Sequence, residues 1–215
     1  MLQPKNNNFL TSIKLLNNDY GLSWIDISIG DLYTQSCKEG ELLTALATIR
    51  PREILLAEEI ISENKKLTTM IDNKLTATIS PLTVNITNIK KLKKLICMYF
   101  NVKSLDSFGS FSDCEIGACW SLLEYIKLTQ KVNLPPIRFP KSIKTESNMQ
   151  IDPFTRKSLE ISETLHGERK GSLLYAIDRT LTAAGARQLD KDISSPLTSV
   201  EKIERRLVML ECLYN

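Results

Sequence analysis

The chain has little of what most protein chemistry is built from. His166 is its only histidine, and its five cysteines (Cys37, Cys97, Cys114, Cys119 and Cys212) include no C-x-x-C pair. An odd number of thiols, mostly among apolar neighbours, speaks against a disulfide framework and for a reducing compartment. Cys114 and Cys119 stand five apart in a helical stretch and far from His166, so they read as small buried hydrophobes rather than zinc ligands. No apolar run approaches the ~18 residues needed to cross a bilayer, and the segment from Met1 to Asn8 is polar. Neither a signal peptide nor a transmembrane span is expected, and a cytoplasmic location is. The loop G-x-x-x-x-G-K-[ST], whose amides and lysine hold a triphosphate, is absent. The nearest text, Gly167-Glu-Arg-Lys-Gly171-Ser172, has glycines four apart and no lysine after the second, and is expected to be a turn between helices.

The formal charge of +3, from 28 basic and 25 acidic residues, is too slight to argue for a nucleic-acid surface. Lys90, Lys91, Lys93 and Lys94 form the one basic cluster. They fall between Ile89, Leu92, Leu95 and Ile96, the spacing of an amphipathic helix, so they are expected on its solvated face; a phosphate-contacting patch is the alternative.

What is present is ordinary globular material: 215 residues, 42% hydrophobic and 25% charged, enough for one large domain or two modest ones. Phe9 to Leu16 reads as a strand, and Asn17-Asn18-Asp19-Tyr20-Gly21 as a turn. Leu22 to Ser28 and Leu32 to Ser36 complete a three-stranded antiparallel meander. Leu42, Leu43, Leu46 and Ile49 share a helical face ended by Pro51, and Glu53 to Glu58 reads as a short buried strand. This order predicts an α/β sandwich in which a helical crossover adds a parallel strand to the meander. A further strand is predicted over Leu75 to Ile79, and helices over Ile86 to Phe100 and Glu115 to Lys127. The second of these is apolar almost all round, with Ile116, Cys119, Trp120, Leu123 and Ile126 facing a core.

Val132-Asn133-Leu134-Pro135-Pro136 and the polar stretch through Asn148 have the composition of a linker. The division expected is 1–134, a linker at 135–148, and 149–215. The last part reads as helical. Asp152-Pro153 starts one helix, closed by His166-Gly167; Gly171-Ser172 opens a second, with Leu173, Leu174, Ile177, Leu181 and Ala184 inward, stopped by Pro196. A third carries Val200, Ile203, Leu207, Leu210 and Tyr214 at the spacing of a lengthwise-packed helix. It reaches Asn215 without a capping residue, and continuation of the natural polypeptide is expected.

Converging carboxylates on an α/β sandwich would suggest a two-metal nuclease, and Asp26, Asp31, Glu58 and Asp113 are the candidates. Asp26 stands alone in its strand, with no second acidic cluster at metal-ligand spacing. A serine or cysteine nucleophile lacks a base, because His166 sits in a charged loop beside a glycine. Pattern alone thus reaches an α/β domain followed by helices and assigns no catalytic, cofactor-binding or metal residue.

The order of longer phrases carries more. Gly21-Leu-Ser-Trp-Ile-Asp-Ile-Ser-Ile-Gly30 resembles the G-L-A-x-x-D-x-S-T-G phrase of connector domains in the MutS family of bacterial DNA mismatch-repair proteins, and Ile49-Arg-Pro-Arg-Glu-Ile-Leu55 resembles their L-x-P-x-E-I-L. Leu105-Asp-Ser-Phe-Gly109 and Gly117-Ala-Cys-Trp-Ser-Leu-Leu-Glu-Tyr-Ile-Lys-Leu-Thr-Gln130 are similar to the connector's last helix. Met149-Gln-Ile-Asp-Pro-Phe-Thr155 with Leu159-Glu160, and Gly171-Ser-Leu-Leu-Tyr-Ala-Ile-Asp-Arg-Thr-Leu-Thr-Ala-Ala-Gly185 with Arg187, Leu189 and Pro196-Leu197, resemble the start of the helical lever in the core domain. Ser158, Ile29, Ala184 and Asp192 depart from the usual asparagine, threonine, methionine and tryptophan.

The resemblance implies an internal piece: a ribonuclease-H-like α/β connector, a mixed sheet flanked by helices that has lost its nuclease carboxylates, then an all-α lever segment. It implies a noncatalytic part of a DNA-dependent ATPase, joining mismatch-binding, lever and ATPase domains and contributing to MutL binding. For the whole protein it implies mismatched double-stranded DNA, MutL and a second copy in a homodimer as partners, and ATP and Mg²⁺ as cofactors, none of them held by this part. An autonomous metal-dependent nuclease and a free-standing interaction module are the alternatives.

Overall fold

The computed structural model describes residues 8–75, 77–83, 88–129, 136–143 and 148–214. The chain forms two compact units, residues 1–143 and 144–215.

In the first unit, Phe9–Leu16 (β1) pairs antiparallel with Asp19–Asp26 (β2), which pairs antiparallel with Asp31–Lys38 (β3). The first turn places Asn17 and Asn18 in left-handed backbone (φ 50° and 65°), a conformation asparagine tolerates. The expected meander is present. Helix Glu39–Ile49 (α1) crosses to Glu53–Ala57 (β4), which lies parallel to β1. Helices Glu58–Glu63 (α2) and Lys65–Lys74 (α3), which the sequence reading did not anticipate, lead to Thr78–Leu82 (β5), parallel to β4. Asn64 starts α3 by accepting the Leu67 amide on its side chain. Ile89–Tyr99 (α4) and Asp113–Thr129 (α5) follow, and Lys141–Ser142 (β6) adds parallel to β3. The sheet is mixed, in the order β5-β4-β1-β2-β3-β6.

Alternation along the strands sends residues to two cores. On one face Ile13, Leu22, Trp24, Ile54 and Leu56 meet Leu42 and Leu46 of α1 and Leu67 and Ile71 of α3. On the other, Leu10, Ile25 and Leu55 meet Leu92 and Ile96 of α4 and Ile116, Leu122 and Ile126 of α5. Each such side chain, once fully buried, stabilises the fold by about 1.5–3 kcal/mol. Helix α5 approaches the sheet closely because β2 offers it a glycine: a Cβ on Gly21 would lie 2.0 Å from the carbonyl oxygen of Cys114.

The stretch 135–148 reads as a linker by its prolines, yet residues 136–143 lie on the first unit. The Arg138 amide donates to the Gly30 carbonyl at 2.9 Å, Phe139 stacks on Phe108 with ring centroids 3.7 Å apart, and β6 joins the sheet. Ile137 and Phe139 are the apolar pair that composition outweighed; both pack on the α4–α5 core.

The second unit holds four described helices: Pro153–Ser158 (α6), Leu173–Ile177 (α7), Ala183–Ser194 (α8) and Val200–Tyr214 (α9). The helix expected from Pro153 to His166 ends at Ser158. Glu160 turns into left-handed backbone (φ 47°), and the carbonyls of Glu160 and Ile161 accept the amides of Leu173 and Leu174 instead of continuing a helix. The helix expected from Ser172 to Pro196 is two helices, and of the residues expected inward only Leu174 is buried, while Leu173, Ile177, Leu181 and Ala184 are exposed. Asp178 accepts the amide and hydroxyl of Thr180 and pairs with Arg169 at 2.7 Å, and Thr182 then caps α8 through the Gly185 amide. Short side chains that bond neighbouring backbone compete with the helix in this way.

The Gly21 contact leads to a measurable expectation. Gly21→Ala forces α5 off the sheet or strains it, and urea unfolding should show a loss of about 3 kcal/mol, at the upper end of the usual cost of overpacking a core. A loss below about 0.5 kcal/mol would contradict the close approach.

Candidate functional site

The candidate site is where a two-metal nuclease would need its carboxylates. Asp26 and Asp31 are register partners at the turn end of the β2–β3 hairpin. Asp26 is 1% exposed, and its Oδ1 accepts the Ser28 amide at 2.9 Å, which shapes the turn. Asp31 is held by Arg138 at 2.7 Å. The Tyr33 hydroxyl donates to Asp31 at 3.5 Å; burial first, and then the Asp31 carboxylate, push that hydroxyl up to about 12. Glu58 begins α2 beyond the far end of β4. The register pairs Asp26 with Phe9 and Leu10 with Glu53, so Asp26 and Glu58 are separated along the strands by six residues, roughly 20 Å. Asp113 opens α5 and pairs with Lys93 at 3.5 Å. The four carboxylates are therefore not assembled at one place. Among the described residues, no group of three His, Cys, Asp or Glu side chains is placed to hold a metal.

A fifth carboxylate, which sequence reasoning passed over, is the best connected. Glu115 of α5 is 3% exposed. Its Oε1 accepts the hydroxyls of Thr34 (2.9 Å) and Ser142 (3.0 Å), and its Oε2 accepts the amide and hydroxyl of Ser112 (2.8 and 2.9 Å). Four donors satisfy the charge, so this group ties α5 to β3 and β6 rather than standing ready for a ligand. Two of its donors come from residues 27 and 81 positions away, which no local pattern reveals, while the other two belong to Ser112 in the local S-x-x-E capping box.

The other candidates fall apart in the same manner. Cys37, Cys114 and Cys119 are buried, Cys97 is half-buried and Cys212 is exposed, all as free thiols. Burial pushes the Cys37 and Cys119 thiols up to about 12. His166 stands exposed in the loop between α6 and α7, in the other compact unit from Cys114 and Cys119. The Gly167 to Ser172 loop spends amides internally: Gly167 donates to the Thr164 carbonyl, Glu168 to the Thr164 hydroxyl and Ser172 to the Arg169 carbonyl. A phosphate cradle would need such amides free. On α4, Lys90, Lys91, Lys93 and Lys94 all lie on the solvated face, as the apolar spacing predicts.

Two protein-family models match the chain: MutS domain II over residues 8–138 and MutS domain III over residues 154–215. The chain belongs to the MutS family. It is 36% identical over 207 residues to the DNA mismatch repair protein MutS of Wolbachia pipientis wMel, a match covering 96% of this chain and 24% of that protein. With the MutS of Rickettsia felis it shares 37% identity over 210 residues, 97% of this chain and 24% of that one. With the MutS of Cereibacter sphaeroides it shares 36% over 213 residues, 99% and 24% respectively. The chain spans about a quarter of the length of the curated MutS relatives it matches. Asp192, which departs from the tryptophan common in the family, is answered on α9 by Arg206 at 3.0 Å.

The buried thiols give a pH expectation. In the folded chain Cys37 and Cys119 stay protonated to about pH 12, while unfolded they ionise near 9.0. Their contribution to stability is full below about pH 9 and is lost as pH rises toward 12. At pH 8 a thiol reagent should modify Cys212 fast and reach Cys37, Cys114 and Cys119 only on unfolding; rapid modification of four or five thiols in the native chain would contradict the burial.

Proposed function

We propose that this chain serves as the connector, followed by the first part of the lever, of a mismatch-recognition ATPase of the MutS family, and that its own part is mechanical rather than catalytic. The observation that carries this reading is the match to MutS domains II and III on a sheet whose acidic residues are dispersed instead of convergent. The order β3-β2-β1-β4-β5, with β2 alone antiparallel to its neighbours, supports a ribonuclease-H-like connector stripped of its nuclease chemistry. In this reading the connector gives way to the lever within 135–148. Mismatched double-stranded DNA, a second copy, ATP and Mg²⁺ are engaged by the whole cytoplasmic protein, and this part links the domains that hold them.

The same reading assigns the chain a MutL-contacting surface, and the outer face of α4 suits one. Lys90, Lys91 and Lys94 are exposed there, while Lys93 is engaged by Asp113. Met98 is 70% exposed on the same helix, and Tyr99 leads into the aromatic group Phe100, Phe139 and Phe108. Apolar anchors rimmed by flexible cations are the composition of a transient docking face.

Two measurements test the proposal. In titration calorimetry with MutL, Lys91→Glu with Lys94→Glu should weaken binding about tenfold or more, as expected for reversing charges on a docking rim; unchanged affinity overturns the α4 assignment. Incubated at high concentration with DNA and RNA in Mg²⁺ or Mn²⁺, the chain should leave both intact. Cleavage that disappears in Asp26→Asn would install the nuclease reading instead.

A further inference from the structure

Within the second unit, the segment that leads into α6 and the turn that leads out of α8 are fastened together. Asn148 forms an antiparallel bridge with Leu197, the Met149 amide donates to the Pro196 carbonyl at 2.7 Å, and the Asn148 side-chain amide donates to the Ser195 hydroxyl at 2.8 Å. Beneath this lies a buried polar set. Arg156 of α6 is 7% exposed and donates from Nη2 to the Ser194 carbonyl at 2.7 Å, at the C-terminal end of α8. The Ser194 hydroxyl donates to Asp190 Oδ1 at 3.2 Å and lies 3.3 Å from the Ser162 hydroxyl. Asp190 is 3% exposed. A buried cation and a buried anion thus meet on one serine. Polar groups removed from water hold their geometry tightly, because each displaced bond leaves a desolvated group.

Helix α9 starts at Val200, three residues after the bridge at Leu197, and none of its described residues is buried. Its direction is set at its root and by the ion pair of Arg206 with Asp192 of α8 at 3.0 Å. We propose that Arg156 is a positioning residue whose clasp on Ser194 makes the leading segment of the second unit and the root of α9 one rigid body. Any force that reorients residues 148–151 then reorients α9 with them. The use of such a device rests on the connector-and-lever reading; its existence does not.

The experiment places spin labels at Gln150→Cys and Glu204→Cys, both exposed, in a chain carrying Cys97→Ala and Cys212→Ser, and measures their distance distribution by double electron–electron resonance. A single narrow distribution is expected. Arg156→Met should at least double its width while the far-ultraviolet helical signal is retained, and Arg156→Lys, which keeps a donor without the planar fork, should give an intermediate width. A role in stability alone would lower the melting temperature without widening the native distribution. Should Arg156→Met lose its helical signal, Asn148→Ala decides: widening supports the clasp, and an unchanged width overturns it, as does an unchanged width in a folded Arg156→Met. MutL binding and nuclease assays read neither width, so the clasp and the connector reading fail separately.

Discussion

The first unit depends on how closely α5 lies on the sheet. Gly21 removes the Cβ that would collide with the Cys114 carbonyl, and Glu115, the next residue along, reaches Thr34 on β3 and Ser142 on β6. The close approach makes the buried carboxylate reachable, and the carboxylate in turn fixes the strand at the sheet edge. Glycine at one position and glutamate at another are therefore parts of one contact. Removing a buried charged partner costs more than the net worth of the bond, since the remaining groups stay desolvated. The same helix contributes Ile116, Leu122 and Ile126 to one of the two cores, so its position decides packing as well as polarity.

How far the sequence discloses this fold varies by element. Strands β1 to β4 and helices α1, α4 and α5 are legible because each buries one face or all faces, and burial writes a period into the residues. β5 lies a few residues beyond its expected place, since its edge position relaxes the alternation: Thr78 and Pro81 are exposed and Ile79 and Ser80 only half-buried. α2 and α3 carry too few buried residues to announce themselves; Leu67 and Ile71 are the only two. In the second unit the apolar residues are spaced for long helices, but Asp178, Thr180 and Thr182 bond their neighbours' backbone and interrupt them. The apolar spacing there does not mark an inward face, because the interruption leaves Leu174 buried and Leu173, Ile177 and Leu181 exposed.

The candidate site was legible in a different way. Its dispersed acids could be suspected from spacing, and the register fixes how far apart Asp26 and Glu58 stand. For Glu115 the local Ser112-x-x-Glu115 capping box accounts for one carboxylate oxygen, but the strand donors Thr34 and Ser142 on the other oxygen lie too far along the chain to be read from it. Family phrases such as Gly21 to Gly30 already contain the physical reasons for their residues: Gly21 for close approach, Asp26 for the turn, Gly30 for positive φ beside the Pro136 carbonyl. In a phrase of that sort, matched by MutS domain II, the residues answer to packing and turn constraints.

The buried polar groups described above sit at junctions: Glu115 where α5 meets two strands, and Arg156 with Asp190 where α6 meets α8. Groups at junctions resist rotation of one element against another, because their bonds are directional and their loss exposes nothing that water can repair. Helix α9 shows the converse. Fifteen residues are close to the limit at which a helix holds its shape alone, and Val200, Leu207, Leu210 and Leu213 are all exposed. Arg206 on Asp192 adds a partly exposed ion pair worth about 1 kcal/mol at most. A stiff root beneath a helix with an uncommitted apolar face is suited to transmitting orientation, and that property follows from the placement of Arg156 and Ser194 rather than from any reactive group.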